Sequence, residues 1–323
     1  SHRDNQSVWQ ALRQRVASTA PGEWVYAVGL DPILVPDLQI PPRQQLDQLA
    51  PNNPVLLIGQ NLHSFWANSR AFAAAGVDRH TPNPSAASYY QRDDQGELTG
   101  MIVETQAARP FMTELKRPWA LLQRYERTLD DLLANGFTTV ASLGYNVPPL
   151  MARYAALRHW RPRIRQYFYL TEQELDALPE SPDNGSDSFA VLGVKLWADG
   201  SPYTGSMFSR SAYLDSPLNR TLGITPGSYG QPLLGVAALR EKIEHYNRAG
   251  WQVAIHSQGD ASLLEVARAL EQAAPLSGQA PAVRLEHAIE LPKPLMPELT
   301  AQGVAVSFHI NHLLYYGDAL QDS

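Results

Sequence analysis

The chain has 323 residues, 44% hydrophobic against 18% charged, and a net charge of −6 from 26 basic and 32 acidic residues. This composition belongs to a folded globular protein with a sizeable core, and its intermixed charges leave no basic stripe for a phosphate backbone, so nucleic acid is not expected as a partner. No apolar run reaches the ~18 residues of a membrane-spanning helix, and the absence of cysteine removes disulfides, thiolate ligands and a cysteine nucleophile.

The opening SHRDNQ has no charged, apolar and small-residue leader pattern, which reads as a cytoplasmic chain. Residues 8–18 (VWQALRQRVAS) carry helical spacing, and EWVYAVGL and VLLIG read as short strands on either side of the proline-rich VPDLQIPPR. SFWANSRAFAAAG reads as a helix. HTPNPSAASYY and RDDQGELTG read as loop and hairpin before the apolar MIVE, so residues 1–110 are expected to form a small α+β unit.

Residues 111–323 are more regular. A helical WALLQRYERTLDDLLANG precedes the β-rich FTTVASLG, and the alternation then repeats. PPLMARYAALRHW, TEQELDAL, GVAALREKIEHYNRAG, ASLLEVARALEQAA and LMPELTAQG each precede a strand: RIRQYFYL, AVLGVKLWA, WQVAIHS, AVRLEHA and VAVSFHI. Helix and strand in strict alternation predict parallel βα architecture. His256 and His287 lie 31 positions apart, about one repeat, and so are expected at equivalent places on neighbouring strands. A long Gly-, Ser- and Pro-rich loop from Gly200 to about Gly235 separates Lys195 from His256, and a loop of that length on this face is usually functional.

Three strand ends carry potential ligands: VKLWADGS around Lys195, VAIHSQGD around His256 and VRLEHA around His287. Parallel strands converge on one mouth, and a neutral imidazole suits a borderline divalent ion such as zinc. A single histidine at a strand end is more often a hydrogen-bonded core residue; it is the matched positions that suggest a metal. An ammonium at Lys195 inside the sheet costs several kcal/mol unless it is paired or its pKa falls. Three explanations stand: a carbamate that ligates metal, a Schiff-base amine, or a lysine paired with Asp199 or Glu286.

These motifs resemble the carboxylated-lysine and two histidine motifs of the amidohydrolase superfamily, and most closely its amidohydrolase-3 branch of YtcJ-like and N-substituted formamide deformylase-like proteins. PGEWVYAVGLD, NLHSFWANSRAF and VSFHINHLLYYGD resemble further segments of that branch, so the likeness runs over nearly the whole chain. The resemblance implies a metal-dependent hydrolase on a TIM (β/α)8 barrel, cleaving a C–N bond of an amide-like small molecule through a metal-activated hydroxide. It implies Lys195, His256 and His287 as ligands of one or two divalent ions, with zinc expected. His63, Asp199 and His312 are the expected substrate-binding residues, with Asn311 beside His312 and Asp199 and Gly200 shaping the turn after the lysine strand. For His63 a surface or packing role is the alternative.

Two parts of the family pattern are absent. No His-x-His pair occurs, and no aspartate follows an eighth strand; Asp318 stands too close to VAVSFHI for another helix and strand to intervene. The expectation is an incomplete barrel, strands 2–7 with the inserted α+β unit, cut from a longer parent enzyme and itself inactive, its metal site able to stand empty. Two open sheet edges then predict a homodimer. The alternative function is a non-catalytic regulatory or binding protein of the exoenzyme-regulator type on the same scaffold.

Overall fold

A computed structural model of the protein describes residues 4–35, 37–86, 88–144, 154, 157, 162–182, 185–276 and 281–321. The first sheet holds β1 (Val25–Leu30), β2 (Val55–Gly59), β3 (Ser64–Ala67), β4 (Tyr89–Arg92) and β5 (Leu98–Val103), in the order β1-β2-β3-β5-β4. Only β1 and β2 pair in parallel; the expected hairpin is β4 and β5. Every residue of β2 is buried, because both faces are covered. Leu56 and Ile58 pack with Phe65, Phe72 and Phe111 on one side, and Val55 and Leu57 with Val25 and Leu46 on the other. Phe111, with Met112 and Leu115 beside it, carries this core past residue 110.

SFWANSRAFAAAG is not one helix. Ser64–Ala67 is strand β3 and the helix is Ser69–Ala75, divided at Asn68. The reason lies in the side chain of Asn68, which is fully buried and competes successfully for the backbone. Its Oδ1 accepts the N–H groups of Val55 and Ala71 at 3.0 Å each, and its Nδ2 donates to the carbonyls of Ala50 and Asn53.

The second sheet holds β6 (Thr139–Leu143), β7 (Arg165–Thr171), β8 (Phe189–Trp197), β9 (Gln252–Ser257), β10 (Val283–His287) and β11 (Ala305–Phe308). All six run parallel and lie side by side in chain order, with β6 and β11 at the edges. Helices Val236–Arg248 and Asp260–Gln272 follow the expected spacing, but TEQELDAL is a 3-10 turn over Glu172–Ala177 rather than an α-helix. Apart from Tyr154 and Leu157, PPLMARYAALRHW lies outside the described residues. Among the described residues no helix is long and apolar enough to cross a membrane.

The period of two along each strand divides the sheet into a dry face and a polar face. Val194, Leu196, Val253, Ile255, Val283 and Leu285 pack under Leu239, Ile243, Leu263 and Val266 of the helices, each such burial stabilising by roughly 1.5–3 kcal/mol. The intervening positions Lys195, Gln252, His256, Arg284 and Glu286 fall on the opposite face, which curls into a half-barrel. Replacing Asn68 by alanine removes four buried hydrogen bonds at once and is expected to destabilise the protein by about 2–4 kcal/mol in urea denaturation; a loss below about 0.5 kcal/mol would contradict the role given to this cap.

Candidate metal centre

Lys195, His256 and His287 line one cavity of about 630 Å³ at the C-terminal ends of β8, β9 and β10. His63, from the β2–β3 turn, lines it from the first sheet, and Tyr203, His309, Asn311 and His312 close it from the long loop and the segment after β11. Strand register alone does not bring the two histidines together. Across β9 and β10 His256 stands opposite Glu286, while His287 stands opposite Ser257, so the residues are one position out of step. Alternation would send His287 toward the helices, on the side of Leu285. Instead the backbone turns left-handed there, with φ of 74° at His287 and 46° at Ala288. The ring returns to the mouth, its centroid 4.7 Å from that of His256. A positive φ in a residue with a Cβ is strained by about 1–3 kcal/mol, and such strain persists only where the surroundings impose it.

Lys195 is 3% exposed, and its Nζ has no hydrogen-bond partner among the described residues. The two carboxylates that might have paired with it are engaged elsewhere. Glu286 binds the Arg284 guanidinium, and Asp199 accepts the backbone N–H groups of Phe208, Gln258 and Gly259 at 3.1, 3.0 and 2.9 Å. The nearest aromatic face is Trp197, its centroid 5.4 Å from Nζ. Burial, reinforced by the Arg284 charge, pushes the Lys195 amine down to about 7 against the attraction of Glu286 and Asp199. An amine lowered this far loses its charge far more readily than an ordinary lysine.

Both histidines are held neutral. Desolvation, then the Lys195 charge, drives His256 well below the ordinary imidazole range and His287 down to about 3. His256 Nε2 lies 3.0 Å from both the Gly200 carbonyl oxygen and Gln258 Nε2; with the ring proton on Nε2 it donates to the carbonyl and Nδ1 keeps the lone pair. Gln258 Nε2 donates to the same oxygen. Gly200 is needed for this close approach, since a Cβ there would meet Ser206 Oγ at 2.1 Å. Among the described residues, no three His, Asp or Glu side chains form a ready metal cage.

Asp199 does not line the cavity, contrary to its expected substrate-binding place. Its carboxyl is fully buried and is taken up by three main-chain donors, so it ties the strand end, the long loop and the β9 turn together. Burial raises this carboxyl to about 7 even though the three N–H groups pull the other way. His312 does line the cavity; burial pushes its imidazole down to about 4, and its ring lies 4.1 Å from that of His309. Glu104, Gln258 and His309 went unnoticed in the sequence. Each carried a weak signal: a carboxylate closing the apolar MIVE, an amide two residues beyond His256, and a histidine three before His312 on the same turn. Glu104 meets His63 Nδ1 at 2.6 Å.

The chain belongs to the amidohydrolase family, whose model matches residues 1–323. It is 30% identical over 138 residues to N-substituted formamide deformylase of Arthrobacter pascens, a match covering 41% of this chain and 25% of that protein. It is 24% identical over 311 residues to the putative amidohydrolase YtcJ of Bacillus subtilis, covering 93% of this chain and 56% of that one. The crystal structure of an uncharacterized metal-dependent hydrolase from Pyrococcus horikoshii shares the fold, with a TM-score of 0.68 and 20% identity over 99% of this chain and 61% of that one. The chain thus spans about half, or less, of the length of these curated relatives.

The left-handed turn gives a direct test. His287→Gly is expected to hold wild-type stability within about 1 kcal/mol, whereas His287→Val loses roughly 1–3 kcal/mol more than the glycine variant. Urea unfolding of the two variants reads the difference, and equal losses would remove the strain argument.

Proposed function

We propose that this chain carries the metal-binding face of a hydrolase that cleaves the C–N bond of a small amide-like molecule. The observation that carries the proposal is Lys195, a buried amine with no partner and a pKa near 7, beside two imidazoles held neutral. Such an amine adds to carbon dioxide: an N–C bond forms, one proton leaves, and the side chain becomes a carboxylate-like carbamate. The donor set then reads as one oxygen ligand and two neutral nitrogens, a combination suited to zinc or a similar divalent ion, with room for one or two ions. His256 fits this role in the tautomer whose Nε2–H rests on the Gly200 carbonyl, since Nδ1 then keeps its lone pair, the arrangement that orients a metal-binding histidine. When bound, the ion supplies Lewis acidity that eases deprotonation of water and polarises a carbonyl oxygen.

The protein's own groups do the positioning. Asp199 fixes the loop that presents the Gly200 carbonyl to His256, and through it the orientation of the ring. Tyr203, His312, Trp66, Leu62 and Leu30 also line the cavity, whose volume suits a small molecule. A substituted formamide is the substrate class favoured by the similarity to the deformylase.

The full protein, prepared with zinc, is expected to hold one or two equivalents of metal by elemental analysis and to release amine from N-butylformamide. Chelation should abolish that activity and zinc restore it. Lys195→Ala is expected to weaken metal retention by about 10–100-fold, the scale seen when a site loses a supporting group. Undiminished hydrolysis after chelation, or metal retention unchanged in the Lys195 variant, would refute the proposal.

A further inference from the structure

The first sheet contributes a second polar device, whose His63 lines the same cavity as Lys195. His63 follows Leu62, whose φ is 61°, and its own N–H is held by Asn61 Oδ1 at 2.9 Å. Glu104, just past the end of β5, has a φ of 68°, so two left-handed residues frame the contact between His63 Nδ1 and Glu104 Oε2 at 2.6 Å. A backbone bond from Glu104 N–H to the His63 carbonyl, 2.8 Å long, locks the two segments together. The strain therefore goes into setting this pair, whose histidine lines the cavity.

The other side of the carboxylate bears on the direction of this hydrogen bond. Glu104 Oε1 accepts the Ser206 hydroxyl at 2.8 Å, while Ser206 Oγ accepts the Ser201 N–H at 2.9 Å and lies 2.6 Å from Thr204 Oγ1. Thr204 Oγ1 stands 3.5 Å from Glu104 Oε1. We take Glu104 as the acceptor on both oxygens, which places the proton shared with His63 on Nδ1 of the ring. In the neutral imidazole this leaves Nε2 as a lone pair. Nε2 has no hydrogen-bond partner among the described residues; the ring lines the cavity, its centroid 5.8 Å from that of His256.

We infer that His63 Nε2 accepts a hydrogen bond from the N–H of the substrate's amide, so that the site selects amides bearing an N–H over esters and N,N-disubstituted amides. The inference rests on the amide-hydrolase reading for the identity of the ligand, but its geometry is independent of the metal. An ester oxygen brought to the same place sets lone pair against lone pair, and an N-methyl group has no proton to offer. Glu104 and Ser206 act as positioning residues, holding the ring in the tautomer that accepts. Because Ser206 belongs to the long loop and Glu104 to the first sheet, the pair also joins the two units over the mouth.

The test uses chelator-treated full protein, in which turnover is stopped, with 15N-labelled histidine. The ring of His63 is expected to show a proton on Nδ1 and none on Nε2, and N-butylformamide to shift the Nε2 resonance. By calorimetry that amide should bind about 10-fold more tightly than its shape-matched ester, butyl formate, or than N-butyl-N-methylformamide, the discrimination expected when one buried hydrogen bond is lost. His63→Phe should erase the difference between the three ligands. A proton found on Nε2, equal binding of the amide and the ester, or binding of none of them would overturn the assignment. N–H discrimination retained in a protein that, when metal-loaded, hydrolyses none of the three would support it while refuting the hydrolase reading; hydrolysis of amide and ester at matched efficiency would do the reverse.

Discussion

A lysine buried to 3% exposure with nothing to bond its amine sets the terms for the rest of the molecule. Holding an ammonium there would cost several kcal/mol, and the surroundings decline every ordinary remedy: Glu286 is committed to Arg284, and Asp199 to three backbone amides. The amine is left close to neutrality beside two imidazoles also kept uncharged. Uncharged nitrogen donors gathered at one mouth are what a metal requires of a protein, and they are poor choices for stability alone.

The scaffold shows how such a group is tolerated. The dry face of the second sheet is packed continuously from Phe168 to Val304 against its helices, which supplies stability independently of the polar face. Backbone strain gathers near the cavity. Leu62, Glu104, His287 and Ala288 are the described non-glycine residues with positive φ, and Leu62, His63 and His287 line the same cavity. Asp199 completes the rim by fastening the loop after β8 to the turn after β9, so the Gly200 carbonyl is held where His256 needs it.

Much of this was legible in the residues. Alternating helical and β patterns pointed to parallel βα architecture, and the second sheet is parallel, its strands' alternate apolar residues packed under the helices. That Lys195, His256 and His287 line one cavity was expected from their places near strand ends, although the turn that carries His287 there was not. What the sequence hid was tertiary. The strand at Ser64–Ala67 carries helix-compatible residues and is stopped only by what Asn68 bonds to, some of it thirteen and more residues away. Asp199 looked like a cavity residue, since nothing local reveals that its acceptors are filled by amides from Phe208, Gln258 and Gly259. His287 looked equivalent to His256, and only the register across β9 and β10 shows that a left-handed turn is needed to make it so. Glu104 was missed because its importance lies in a contact with His63, 41 residues away.

The most direct test of the central claim concerns the chemistry of the Lys195 amine itself. Full protein equilibrated with zinc and 13C-bicarbonate can be observed by 13C NMR for a carbamate carbonyl, with the Lys195→Ala variant as control. The account predicts a labelled carbamate signal in the wild-type protein that is missing from the variant. A wild-type spectrum without that signal, from protein shown to contain zinc, would contradict it.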